Sequence, residues 1–104
     1  MTTKKKSAAM KFLDNLIGEP MTFAGLVRSC RESEGMSQTE LGAAIGVSRA
    51  VICDIEKGRR NTSMERAAEI ADALGMARAL FVQQSLQDKA ERVGLNLTVS
   101  VEAA

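Results

Sequence analysis

The chain has 104 residues, the length of a single compact domain, and its net charge is only +1. It contains no His, Trp or Tyr, which excludes imidazole base catalysis, His-ligated metals and an aromatic platform for single-stranded bases. Cys30 and Cys53 are too few for a structural zinc site, and we expect two reduced core thiols. We therefore predict no catalytic site, no metal and no cofactor.

Membrane and export signals are also missing from the sequence. No apolar run approaches the roughly 20 residues of a membrane-spanning helix. No apolar stretch long enough for a secretory signal follows the lysines at positions 4–6. We expect a cytoplasmic protein with no membrane partner. Because the net charge is small, a role in binding nucleic acid must depend on where the charges lie.

Residues 1–21 are predicted to be a basic tail followed by a short extra helix. Gly18 and Pro20 end that helix. Its apolar positions follow the helical spacing i, i+3, i+4, i+7: Ala9, Phe12, Leu13 and Leu16.

Residues 22–91 are predicted to form five helices. The first covers about 22–33, and the last covers about 77–91. A capping box, Ser37-Gln38-Thr39-Glu40, opens the second helix, and Ser48 caps the third. A further box is expected at Thr62-Ser63-Met64-Glu65. The side chains expected on inner faces include Leu41, Ala44, Ile45, Ile52, Ile55, Met64 and Ala67.

Residues 92–104 change to a period of two. Apolar side chains alternate with Gly94, Asn96 and other small or polar residues, which predicts a β-strand. The alternating apolar positions are Val93, Leu95, Leu97, Val99 and Val101. A lone strand leaves its backbone edges unpaired, so we expect it to pair with the same strand of a second copy. The alternative is a tail that folds back on its own helices or has no fixed structure.

The most informative stretch lies between Ser37 and Arg60 and reads SQTELGAAIGVSRAVICDIEKGRR. Two short helices joined by a glycine-containing turn fit a helix-turn-helix motif. With its supporting helices at about 22–86, the stretch resembles the phage-repressor-like helix-turn-helix family of lambda repressor, Cro and the Xre-type regulators. One departure is Gly42, where the family usually has Ala. Glycine preserves the close helix approach but costs up to about 1 kcal/mol in helix propensity.

The resemblance implies an all-α fold, a five-helix repressor-like bundle. The sequence patterns described above add the extra N-terminal helix and a C-terminal strand that pairs across a dimer. The resemblance also implies that Arg49, Ala50 and Asp54 read base edges. An arginine can bond guanine bidentately, an alanine can touch a thymine methyl group, and an aspartate can accept from cytosine. Asp54 would also repel phosphates.

The resemblance further implies contacts with the DNA backbone. Gln38 matches a residue that binds a phosphate and braces its neighbour, and Thr39 and Ser48 can reach phosphates. A basic group after the third helix, Lys57, Arg59 and Arg60, suits backbone neutralisation. Arg31 and Glu56 match a structural salt bridge. The predicted DNA-binding residues are thus Gln38, Thr39, Ser48, Arg49, Ala50, Asp54, Lys57, Arg59 and Arg60.

The function that follows is a sequence-specific regulator of double-stranded DNA, a repressor acting as a homodimer on a near-palindromic operator. One alternative is the antitoxin of a type II toxin–antitoxin pair that binds a toxin and also represses its own operon. Another is a protein-bridging coactivator that does not read DNA, which would lack salt-dependent operator binding. We do not expect an enzyme, since no nucleophile–base pair or carboxylate constellation is present.

Overall fold

The computed structural model describes residues 22–96 and 98–102. Within them the chain is all-helical, with five helices and no strand. The helices are α1 (Phe23–Ser33), α2 (Gln38–Ile45), α3 (Arg49–Glu56), α4 (Met64–Ala73) and α5 (Arg78–Arg92). The predicted five-helix bundle is confirmed, whereas the extra helix predicted in residues 1–21 lies outside the described residues. None of these five helices is long and apolar enough to cross a membrane.

Hydroxyl side chains fix where the first four helices begin. The capping box predicted at Ser37 and Glu40 is complete, because Glu40 also accepts from the Ser37 N–H at 2.8 Å. The box expected to begin at Thr62 is wrong by one residue: Ser63 is the N-cap of α4. The Thr62 hydroxyl is instead buried, with no hydrogen-bond partner among the described residues. The N-cap residues are Thr22, Ser37, Ser48 and Ser63.

The core joins all five helices. Phe23 of α1 meets Phe81 of α5 edge to face, with ring centroids 6.1 Å apart. α3 packs against α1 and α2, and α4 packs against α2 and α5. The short α3, which could not persist alone, is therefore held by its neighbours. Other buried apolar side chains include Leu26, Val27, Leu41, Ile52, Ile55 and Ile70.

Two apolar side chains predicted on inner faces lie on the surface instead. Ala44 is exposed because the buried face of α2 runs from Leu41 to Gly42, and Ala44 lies about 160° around the helix from Gly42. Met64 is 50% exposed. It is the first residue of α4, and the first helical residue that α4 buries is Ala67, one turn later.

The region predicted to begin the C-terminal strand instead terminates α5. Gly94 has φ +77°, and the Gly94 and Leu95 N–H groups donate to the carbonyls of Glu91 and Ala90. These two bonds form a Schellman ending, which requires the left-handed backbone that glycine adopts without strain. Val93 and Leu95 therefore belong to the end of the helix and not to a strand.

The tail that follows lies along α5. The Val99 N–H donates to Gln87 Oε1 at 2.8 Å, and the Val101 N–H donates to Gln83 Oε1 at 3.3 Å. Two residues of extended chain advance about 6.6 Å and four helical residues about 6 Å, so the two spacings match. Residues 98–102 thus follow the fold-back alternative, because their backbone bonds the side chains of α5.

Candidate nucleic-acid interface

The turn between α2 and α3 packs closely on the backbone of α2. A Cβ added at Gly42 would lie 2.6 Å from the carbonyl oxygen of Val47. The Val47 N–H donates to the Gly42 carbonyl at 2.8 Å, and Gly46, with φ +78°, reverses the chain. This agrees with the expectation that Gly42 preserves a close helix approach, and the group that comes close is the backbone of the turn.

α3 has one buried and one exposed face, as its sequence predicts. Ile52 and Ile55 are buried in the core. The exposed residues are concentrated at its N-terminal end: Ser48, Arg49 and Ala50. In helix-turn-helix proteins, the N-terminal residues of the second motif helix contact base edges in the major groove. The buried face therefore points this N-terminal end of α3 outward.

Arg31, Gln38 and Glu56 form a hydrogen-bonded network, here called the buried network, that joins α1, α2 and α3. Arg31 Nε donates to Glu56 Oε2 at 2.6 Å, and Arg31 Nη2 donates to Glu56 Oε1 at 3.1 Å. The Arg31 and Glu56 side chains are only 11% and 4% exposed, and the hydrogen bonds to Glu56 raise the pKa of the Arg31 guanidinium. Arg31 Nη1 also donates to the Met36 carbonyl at 2.7 Å. The predicted structural salt bridge is confirmed.

Gln38 belongs to the same network. Its Nε2 donates to Glu56 Oε1 at 3.0 Å, which provides the bracing role implied by the resemblance. An amide nitrogen carries two hydrogens, and this bond uses one of them. The second hydrogen can still donate to a phosphate, so bracing and phosphate contact are compatible at this half-buried side chain.

An exposed cluster of Asp54, Arg59 and Arg60 lies at the other side of α3. Arg59 Nη1 is 3.9 Å from Asp54 Oδ1, and Arg60 Nη2 is 3.6 Å from Asp54 Oδ2. The cluster forms because Gly58, with φ +71°, turns the chain back and the Arg59 N–H donates to the Asp54 carbonyl at 2.9 Å. The sequence placed all three residues at the interface but did not predict that they pair with one another.

The remaining predicted contacts are exposed but lie on separate elements. Thr39 is the second residue of α2, and Lys57 is the C-cap of α3. Within the described residues, no side-chain hydrogen bond or ion pair links Thr39 or Lys57 to the buried network or to the exposed cluster.

Nothing in the sequence pattern indicates that α5 anchors the loop that carries Arg59 and Arg60. Lys89 donates to the Thr62 carbonyl, and Arg92 donates to the side chain of Asn61 and, at 3.5 Å, to the Gly58 carbonyl. Basic residues in the last turn of a helix are visible in the sequence as dipole partners. Their bonds to a loop about thirty residues away depend on tertiary packing, which the sequence pattern does not show.

The two cysteines are free thiols with different surroundings. Cys30 lies in the core, where burial raises the pKa of its thiol and Glu34 raises it further. Cys53 is half-buried on α3, so the prediction of two core thiols is correct only for Cys30.

Comparisons with known proteins agree with this geometry. A helix-turn-helix family model matches residues 27–81, more than half of the chain. An uncharacterized HTH-type transcriptional regulator of Methanothermobacter thermautotrophicus is 44% identical over 50 residues, covering 48% of this chain and 72% of that protein. The immunity repressor protein of Bacillus phage phi105 is 28% identical over 76 residues, covering 73% of this chain but only 53% of the repressor. The chain therefore belongs to the phage-repressor-like helix-turn-helix family of DNA-binding transcriptional regulators.

Proposed function

We propose that this protein is a transcriptional repressor that binds a near-palindromic operator in double-stranded DNA as a homodimer. The observation that carries the proposal is the exposed N-terminal end of α3. One face of the same helix is buried in the core, and a basic turn follows the helix. A repressor needs no catalytic chemistry, because occupying the operator is enough to block polymerase. The likeness to a phage immunity repressor supports repression as the outcome.

The proposed contacts divide into two kinds. Arg49 and Ala50, in the first turn of α3, meet base edges in the major groove. Residues on either side meet phosphates, which position the protein without reading sequence. These are Gln38, Thr39, Ser48, Lys57, Arg59 and Arg60.

We also propose that residues 92–104 form the dimer contact, leaving residues 22–91 as the DNA-binding domain. The N–H groups of Val99 and Val101 face α5, where two glutamine oxygens accept them. In extended chain the N–H groups of residues 98, 100 and 102 then point the opposite way. That second edge can pair antiparallel with the same edge of another copy, as the two-fold symmetry of a dimer requires.

Selection of bound duplexes from a random library tests the function. We expect enrichment of a near-palindromic sequence with half-sites one helical turn apart, roughly 34–36 Å. The selected site should bind at least about 10³-fold more tightly than mixed-sequence duplex at physiological salt. Equal affinity for both would contradict sequence-specific recognition.

Removing residues 93–104 tests the dimer. We expect a truncated protein that sediments as a monomer at micromolar concentration and binds a half-site weakly. Circular dichroism of the truncated protein should retain the helical signal, since the deleted residues follow α5. A truncated protein that still sediments as a dimer would move the interface elsewhere, with α5 as the next candidate.

A further inference from the structure

The Asp54 carboxylate is shared between two arginines that are free to leave it. Its side chain is 36% exposed, and those of Arg59 and Arg60 are 66% and 49% exposed. The two ion pairs, at 3.9 and 3.6 Å, are much longer than the 2.6 Å pair of Arg31 with Glu56. Exposed pairs of this length are weak and exchange readily with other anions. The cluster thus holds its arginines loosely.

The position of Asp54 makes this loose pairing relevant to DNA. Asp54 follows Ala50 by four residues, so both lie on the same face of α3. Within the described residues its carboxylate accepts no hydrogen bond that would commit it to a structural role. The three charged groups together carry +1, where the two arginines alone would carry +2. A phosphate approaching this face therefore competes with a carboxylate already in place.

We propose that Asp54 limits sequence-independent DNA binding by holding the guanidinium groups of Arg59 and Arg60 in the unbound protein. The inference rests on the proposed function, since it requires this face to meet DNA. When duplex binds, each arginine exchanges the carboxylate for a phosphate oxygen. That exchange has the same cost on every sequence. It therefore lowers affinity by the same factor on operator and on non-operator DNA, so a duplex of mixed sequence is enough to measure it.

The test uses a fluorescently labelled mixed-sequence duplex, so no operator has to be known. Binding of wild-type protein and Asp54→Asn is followed by fluorescence anisotropy between 50 and 200 mM salt. We expect Asp54→Asn to bind about three- to tenfold more tightly, because Arg59 and Arg60 no longer have to break two exposed ion pairs, each of which can be worth up to about fivefold in affinity. The slope of log affinity against log salt should steepen by about one.

Two further variants separate this mechanism from simpler ones. Asp72→Asn makes the same change in net charge at an exposed Asp–Arg pair that joins α4 and α5, and we expect it to leave affinity unchanged. Adding Asp54→Asn to a variant that already carries Arg59→Ala and Arg60→Ala should not raise the affinity of that variant, because the arginines that Asp54 holds are no longer present. Circular dichroism confirms that each variant is folded.

Three results would overturn the proposal. No gain in Asp54→Asn would mean that the carboxylate does not restrain binding. An equal gain in Asp72→Asn would reduce the effect to net charge. A gain that persists without both arginines would mean that Asp54 only repels phosphate directly. If wild-type protein shows no salt-dependent duplex binding, the proposed function fails together with this inference, a result distinct from these three.

Discussion

Glu56 and Asp54 lie two residues apart on α3, and each pairs with arginine, yet their surroundings are opposite. Glu56 is 4% exposed and bonds Arg31 bidentately, with a shortest distance of 2.6 Å. Asp54 is 36% exposed and reaches its two arginines only at 3.6 and 3.9 Å. The first pair joins α1 to α3, and Gln38 adds α2 through its bond to Glu56. The second links α3 only to the loop that follows it.

This difference shows that, on one short helix, a buried charge can stabilise the fold while an exposed charge stays available to a ligand. Breaking a buried pair leaves an uncompensated charge in the interior, so such a pair must persist in every state of the folded protein. An exposed pair costs little to break and can exchange its partner for a ligand. We therefore expect changes in the buried network to alter stability, and changes on the exposed face to alter DNA binding.

The largest expected effect is on the stability of Glu56→Ala. Removing the carboxylate leaves the 11%-exposed Arg31 with only the exposed Glu32, 3.9 Å away, as a charged partner, which should destabilise the fold by about 3–5 kcal/mol. Urea denaturation monitored by circular dichroism measures this. Glu69→Ala, which removes an exposed carboxylate paired with Arg66, is the control and should cost only about 0–1 kcal/mol. An unfolding midpoint of Glu56→Ala equal to that of wild type would break the comparison.

A smaller effect, on recognition and not on stability, is expected for Arg49→Ala. Arg49 is exposed at the start of α3, so its removal should leave the unfolding midpoint nearly unchanged. Operator binding should weaken by roughly 1–3 kcal/mol, with relaxed preference at one base position per half-site. Competition between operator and mixed-sequence duplex measures it. An unchanged specificity ratio would show that Arg49 does not read a base.

For Arg59→Ala combined with Arg60→Ala, we expect a loss that is the same on all sequences. These side chains reach phosphates in the proposed complex, so operator and mixed-sequence duplex should weaken about equally. The slope of log affinity against log salt should flatten by about one for each lost contact. Titrations at several salt concentrations measure the slope. If affinity changes while the slope stays fixed, these arginines do not contact phosphates.

The smallest effect concerns Glu40, an exposed carboxylate with a structural partner. The hydrogen bond from the Ser37 backbone N–H lowers the pKa of Glu40. A lowered pKa contributes stability that is present above the ordinary glutamate pKa and lost as pH falls through the folded-state value. Glu40→Gln should therefore be slightly less stable than wild type at pH 7 and equal to it near pH 3, where a neutral carboxyl resembles the amide. Urea midpoints at both pH values measure this, and a difference that persists in acid would contradict the assignment.

The sequence predicted the helices and the buried face of α3 because both depend on local chemistry. Helical periodicity identified Ile52 and Ile55, and hydroxyl residues marked most of the helix starts. The C-terminal strand was a different case. The period of two in the apolar residues indicated extended chain, but Val93 and Leu95 belong to the end of α5, which Gly94 terminates. Whether the remaining residues pair with another strand depends on a second chain, which no local pattern encodes.

The sequence predicted which residues belong to the candidate site better than it predicted how those residues contact one another. The motif identified Gln38, Arg49 and the basic residues after α3. The pairing of Asp54 with Arg59 and Arg60 arises from a helix ending at Gly58 that folds the chain back by one turn. The anchoring of the loop by Lys89 and Arg92 joins residues about thirty positions apart. Such contacts depend on how helices pack, which composition and spacing do not specify.

The division between the buried network and the exposed face is tested most directly by nuclear magnetic resonance of the nitrogen-15-labelled protein titrated with its selected operator duplex. We predict large amide shifts at residues 48–50 and 57–60, together with an unchanged Arg31 Nε–H resonance held by Glu56. Shifts confined to α5 and the tail would contradict the account, because they would place DNA on a different face from α3. Loss of the Arg31 resonance on binding would contradict the structural role of the buried network.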